Sequence, residues 1–187
     1  MFTKKFKITI TRNITIPDGI KVEYNQGLVS VNSSNVTLQR RFSSPVVDIS
    51  INQGNIQVTS KLKASKNTKR IINTMTAHIK NMINGIQSPY IYKLKIISGH
   101  FPINVTLDKN IILIKNFLGE KVPRKAKILD GVKAEIKGDE ITITSINKEL
   151  AGQTAGNIEM ATRITNKDRR IFSDGIFITQ KADKRIQ

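Results

Sequence analysis

Short stretches in which apolar and polar residues alternate fill most of the chain, and twice they give way to a run with helical spacing. In the first half, residues 20–24, 28–31 and 36–38 alternate with period two and are separated by turn formers at 25–27 and 32–35, which predicts short antiparallel strands. Residues 46–51 and 56–60 flank a second set of turn formers at 52–55 and predict a hairpin with one apolar face. The basic stretch 61–69 reads as a loop. After it Ile71, Ile72, Met75, Ile79, Met82, Ile83 and Ile86 recur every three or four residues, the mark of an amphipathic helix. Gly85 and Pro89 bracket its end.

The second half repeats this order. Alternating segments at 103–107, 111–114 and 132–136, a turn at 137–139 and a further strand at 141–145 precede a second helix. Asn147 is placed to cap that helix, Glu149 suits the positive end of its dipole, and Leu150, Thr154, Ile158 and Ala161 make its inward stripe. The halves superimpose at an offset of about 85 residues: Ile56 and Val58 fall on Ile141 and Ile143, Val29 and Val31 on Ile112 and Ile114. The reading is therefore an α+β chain, a tandem of two similar small domains, each an antiparallel sheet packed on one main helix. The domains are expected at 1–88 and 89–187, the second ending in a basic C-terminal tail, with a short, semi-rigid linker near 87–93.

Charge narrows what such a chain can be for. Its 187 residues carry 31 Lys and Arg against 14 Asp and Glu, a net charge of +17, which calls for an anionic partner. Nucleic acid fits, because cations gain affinity by displacing its condensed counterions and no enzymatic site is required. A membrane partner would ask for a terminal basic amphipathic helix, a spanning apolar stretch or a lipidation signal, and none occurs. The first ten residues alternate like a strand and lack the apolar core of a secretory signal, so an intracellular protein is expected. With no cysteine and only His78 and His100, a zinc site lacks ligands.

Residues 1–90 hold 13 basic and 3 acidic side chains, and residues 91–187 hold 18 and 11. The second half nevertheless gathers its cations into groups: Lys121, Arg124, Lys125 and Lys127; Arg163, Lys167, Arg169 and Arg170; Lys181, Lys184 and Arg185. Grouping focuses potential on one surface, whereas scattered lysines mainly aid solubility. Residues 163–170 read as a loop whose arginines either meet phosphate or pair with Asp168 and Asp174. Gly152 and Gly156 lie within a helix at a cost of about 1 kcal/mol each, for close packing on the sheet or for close approach of RNA. The stretch containing Lys61, Lys63 and Lys66 is either an RNA-binding arm or a solvated turn. No partner for His100 as a general base is evident, and no phosphate-cradling glycine loop or nucleophile elbow is present, so no enzyme is expected. Seven Phe, three Tyr and no Trp give too few rings for base stacking, so RNA would be recognised by shape and backbone.

Four motifs in order, His100-Phe-Pro-Ile-Asn-Val105, Asn116-Phe-Leu-Gly-Glu-Lys121, Gly152-Gln-Thr-Ala155 followed by Asn157-Ile-Glu159, and Asn166-Lys-Asp-Arg-Arg-Ile-Phe172 with Asp174-Gly-Ile176, resemble one family. It is the universal large-subunit ribosomal protein called number six in bacteria and number nine in eukaryotes, in its archaeal and eukaryotic branch. Over 1–90 the resemblance rests on architecture, Leu38-Gln-Arg-Arg-Phe42 and Asn81-Met-Ile-Asn-Gly85. It implies a structural protein of the cytoplasmic ribosome bound to large-subunit rRNA near the sarcin-ricin loop and stalk base. Neighbouring large-subunit proteins and nearby translational GTPases are the further partners implied, with no cofactor, membrane or small-molecule substrate. By motif, Gln153, Thr154, Arg163, Asn166, Lys167, Arg169 and Arg170 inherit RNA contact. Asn157, Lys121, Arg124, Lys61, Lys63 and Lys66 complete the expected RNA-binding set. The rival class is a regulatory RNA- or DNA-binding protein acting outside the ribosome.

Overall fold

The computed structural model describes residues 9–33, 36–42, 44–52, 54–61, 63–168 and 170–182, and the backbone of 184–185. The chain divides into two compact units, 1–87 and 88–187, each with its own apolar core.

In the first unit, β1 (Thr11–Thr15), β5 (Val47–Asn52) and β6 (Asn55–Ser60) form one antiparallel sheet in the order β1-β6-β5. A second sheet is the meander β2 (Lys21–Asn25), β3 (Leu28–Ser33) and β4 (Val36–Arg41). Helix α1 (Lys66–Gln87) follows β6 and packs its Ile72, Ile79, Met82 and Ile83 against Val29, Val31, Ile56 and Val58. The alternation seen in sequence is what divides each strand into faces: Val29 and Val31 turn inward on β3, Ile56 and Val58 on β6.

The second unit repeats this plan and extends it. Strands β8 (Asn104–Asp108), β9 (Ile111–Lys115) and β10 (Arg124–Lys127) make the meander, ordered β10-β9-β8. The larger sheet runs β11-β12-β7-β13-β14, from β7 (Tyr90–Ile97), β11 (Lys133–Lys137), β12 (Glu140–Ser145), β13 (Gly175–Lys181) and β14 (Lys184–Arg185). Helix α2 (Lys148–Ala161) follows β12 as α1 follows β6. The repeat holds at the level of single residues: Ile56, Val58 and Ser60 are buried on β6, and Ile141, Ile143 and Ser145 on β12. The α+β fold of two related units thus stands, each helix being served by two small sheets where one was expected.

Three boundaries differ from expectation. Helix α1 begins at Lys66, inside the stretch read as a loop, because Ser65 Oγ accepts the Thr68 amide at 3.1 Å and the Ser65 carbonyl accepts that of Lys69. The supposed linker 87–93 is mostly strand: α1 ends at Gln87 and β7 starts at Tyr90, with Tyr90, Tyr92, Leu94 and Ile96 buried in alternation. The basic group at 124–127 is β10, a strand with one buried side chain, Ala126, and so without a legible apolar period. In the C-terminal basic group, Lys181 and Lys184 are backbone register partners in the β13–β14 pairing. The expected strand character of residues 1–8 lies outside the described residues.

Candidate nucleic-acid interface

Asn147 caps α2, its Oδ1 accepting the Glu149 amide at 2.9 Å, and Glu149 stands in the first turn. Ala151, Ala155 and Ile158 are fully buried beneath the helix. Thr154 is on this inner face too, fully buried, its hydroxyl accepting the Leu129 amide at 3.4 Å. It packs where the helical period places it, beside Ala151 and Ile158.

The opposite face carries Gln153 and Asn157 one turn apart. Gln153 is exposed and Asn157 half-buried. Gln153 Nε2 donates to Asn157 Oδ1 at 3.0 Å, and Asn157 Nδ2 donates to the Lys127 carbonyl at 3.3 Å, which ties the pair to β10. The two glycines separate here. A Cβ on Gly152 would stand 3.2 Å from the Tyr92 hydroxyl, so this glycine serves packing. A Cβ on Gly156 would meet nothing within 4 Å, so no contact among the described residues accounts for its cost in the helix.

Residues 162–174 leave the helix as a braced loop. Thr162 Oγ1 donates to the Glu159 carbonyl and accepts the Ile176 amide, fixing the loop to both α2 and β13. Asn166 takes a left-handed conformation with φ 60°. Asp168 Oδ1 accepts the Arg170 amide at 2.9 Å, and its carbonyl accepts the amides of Ile171 and Phe172. Phe172 stacks on the His100 ring, centroids 4.8 Å apart, and the Lys167 ammonium lies 4.5 Å from the Phe172 centroid.

Asp174 anchors the far end. Its side chain is 1% exposed and accepts the His100 amide at 2.9 Å, His100 Nδ1 at 2.6 Å and the Gly99 amide. Burial alone pushes this carboxyl up, but the His100 bonds and the Gly99 amide outweigh it and hold the group below the usual carboxylate range. Sequence reasoning left His100 without a partner because 74 residues separate it from Asp174. The arrangement is a loop anchor.

Arg124 is committed inward as well. Its Nε meets Glu120 Oε2 at 2.8 Å and its Nη2 meets Glu120 Oε1 at 2.5 Å. Nη1 donates to the carbonyls of Ala161 at 3.0 Å and Arg163 at 3.1 Å, and the guanidinium lies 4.3 Å from the Phe117 ring centroid. The Arg124 hydrogen bonds hold the Glu120 carboxyl below its ordinary range, with a further contribution from Lys167. Arg124 therefore closes the C-terminal end of α2 onto β10, with its side chain 26% exposed.

Several of the expected residues stand in solvent. Arg163, Asn166, Lys167 and Arg170 are exposed on the loop, and Lys121 is exposed beside Glu120. Arg170 pairs with Asp168 at 2.7 Å, as the alternative reading of this loop allowed, and this hydrogen bond lowers the Asp168 pKa and raises that of Arg170. The pair is solvent-exposed, and such pairs exchange partners at little cost. Arg169 lies outside the described residues. In the first unit Lys61 pairs with Asp48 at 3.6 Å, Lys63 is exposed, and Lys66 is exposed at the start of α1. Among the described residues no group of His, Asp and Glu could hold a metal ion, and no helix is long and apolar enough to cross a membrane.

Comparison with known proteins agrees with the repeated two-unit plan of the chain. The family model described as ribosomal protein L6 matches the chain twice, over residues 16–88 and 101–175, one copy in each structural unit. The large ribosomal subunit protein uL6 of Methanobrevibacter smithii is 42% identical over 172 residues, which is 92% of this chain and 96% of the relative. Its counterpart from Methanococcus vannielii is 42% identical over 94% of this chain and 96% of the relative, and that from Methanosarcina mazei is 40% identical over 92% and 98%.

Proposed function

The chain belongs to the ribosomal protein L6 family, and from that premise we propose that it binds large-subunit rRNA through the outer face of α2 and the loop that follows it, close to the sarcin-ricin loop and stalk base. As a family member it is a structural constituent of the large subunit of the cytoplasmic ribosome and not an enzyme. The contact set is Gln153, Gly156, Asn157, Arg163, Asn166, Lys167, Arg169 and Arg170, with Lys121 at its border. Neighbouring large-subunit proteins pack around it, and translational GTPases dock nearby.

One observation carries this reading: a helix face with an unexplained open glycine runs directly into a braced loop that exposes Arg163, Asn166, Lys167 and Arg170. Gly156 lets a phosphate or ribose approach the helix backbone more closely than any side chain would permit. Gln153 and Asn157 flank that bare position with amide groups, and Arg163, Lys167 and Arg170 supply charge that releases counterions from RNA. Bracing by Asp174, Thr162 and Arg124 means that little conformational freedom is lost on binding.

The chain has no cysteine, so a single Thr165→Cys variant, at an exposed loop position outside the contact set, gives one attachment point for a hydroxyl-radical source. Reconstituted into large subunits lacking the native protein, it should cleave rRNA in the sarcin-ricin loop and stalk base. Cleavage confined to other regions refutes the location. Absence of any cleavage, with the protein not incorporated, refutes rRNA binding through this face.

A further inference from the structure

Helix α1 is charged against its own dipole. An α-helix carries partial positive charge at its N-terminus, which acidic residues there normally offset. The duplicated helix α2 follows that rule with Glu149 in its first turn. Helix α1 has no acidic residue anywhere in its 22 residues and places Lys66, Lys69 and Arg70 in its opening turns. All three are exposed, as are Lys63 before the helix and Asn73 one turn further on.

A second element reinforces the face. Arg12 of β1 reaches it from the sheet, its Nε donating to Asn73 Oδ1 at 3.3 Å. Arg70 Nη2 donates to Asn67 Oδ1 at 2.9 Å, which orients the guanidinium along the helix surface. Lys66, Lys69, Arg70, Asn73, Thr74 and Ala77 lie together on this outward side of the helix. Residues 1–90 contain only three carboxylates, Asp18, Glu23 and Asp48, and Asp48 is paired with Lys61. The helix thus gathers cations where its backbone already repels them, and a polyanion relieves both terms together.

We infer that the outward face of α1, from Lys66 to Asn73 with Arg12 beside it, is a second and separate contact for RNA phosphates in the first unit. It rests on the reading of the chain as a binder of large-subunit rRNA, and it assigns to the first unit a footprint of its own. The asparagines and Thr74 interleaved with the cations suit phosphate and sugar oxygens, and the absence of exposed aromatic side chains along this face matches backbone recognition without base stacking.

The test is equilibrium binding of the full chain to large-subunit rRNA over a range of salt, beside thermal unfolding of the free protein. The variant Lys66→Gln, Lys69→Gln, Arg70→Gln should lower the slope of log affinity against log salt by about 2 to 3 and weaken binding on the order of 100-fold at 0.1 M salt. Its melting temperature should equal or exceed that of the wild type, because repulsion at the helix start is removed. Thr74→Glu, a single exposed change, should weaken binding in the same direction without loss of fold.

Unchanged slope and affinity in both variants, with the wild type binding normally, overturn the inference while leaving the contact at α2 intact. A lowered melting temperature accompanying the lost affinity overturns it in favour of a structural role for these cations. Retained RNA affinity with lost binding to polyglutamate reassigns the face to an acidic protein. Failure of the wild type itself to bind rRNA sinks the proposed function instead.

Discussion

Arg124 and Asp174 have opposite charges and the same task. Each sits where a loop of the second unit must be held, and each uses charge-assisted hydrogen bonds to backbone groups to do it. Arg124→Ala frees two carbonyls and leaves Glu120 unpaired, and should cost about 2–3 kcal/mol in urea unfolding. Arg124→Lys should recover little of this, since one ammonium cannot reproduce a fork that bonds Glu120 and two carbonyls together. Asp174→Ala strands the amides of Gly99 and His100, at a cost of about 2 kcal/mol near neutral pH. The carboxyl of Asp174 is held below its ordinary value in the folded protein, so its contribution is present above the unfolded pKa of about 4 and is lost as pH falls through the folded one. Unfolding curves of wild type and Asp174→Ala should therefore converge on acidification below about pH 4. A gap that stays constant into strong acid contradicts the proposed anchor.

At the scale of elements, the two glycines of α2 make separable predictions. Gly156→Ala fills open space and should stabilise the free protein by about 0.5–1 kcal/mol while weakening rRNA binding. Gly152→Ala brings a methyl against the Tyr92 hydroxyl, so its helix gain is offset and its stability change should be smaller or of opposite sign. Much of this layer was legible in sequence. The offset of about 85 residues located β6 on β12 and β3 on β9, because inward positions must recur with period two whatever the loops between them do. The Asn147 cap was equally plain, since its chemistry is local. What escaped had either too little apolar signal or partners far away in sequence. β10 has only Ala126 to bury, and β7 follows α1 so closely that its start looked like a linker. Thr154 was legible as an inward residue from the helical period, whereas the bonds of Thr154 to the Leu129 amide and of Arg124 to the Ala161 carbonyl were not, because long-range folding brings those groups together.

For the whole molecule, a net charge of +17 is distributed over two units that differ in how they carry it. The second unit pairs some of its cations, Arg124 with Glu120 and Arg170 with Asp168, and leaves others such as Arg163 and Lys167 exposed, while the first keeps few acids and lines one helix with bases. If some 6–10 phosphates are contacted in all, affinity for rRNA should fall about 10³- to 10⁵-fold between 50 and 200 mM salt. Replacing Arg163, Lys167 and Arg170 by alanine should weaken binding more than replacing Lys181 and Lys184, and equal losses would move the main contact of this unit to its tail. The most direct measurement is sedimentation of the protein through a sucrose gradient at moderate salt. The account predicts that it travels with large ribosomal subunits, and that the alanine variant of Arg163, Lys167 and Arg170 is shed at lower salt than the wild type. A wild-type pool found wholly at the top of the gradient contradicts it and returns the chain to the class of free nucleic-acid-binding proteins.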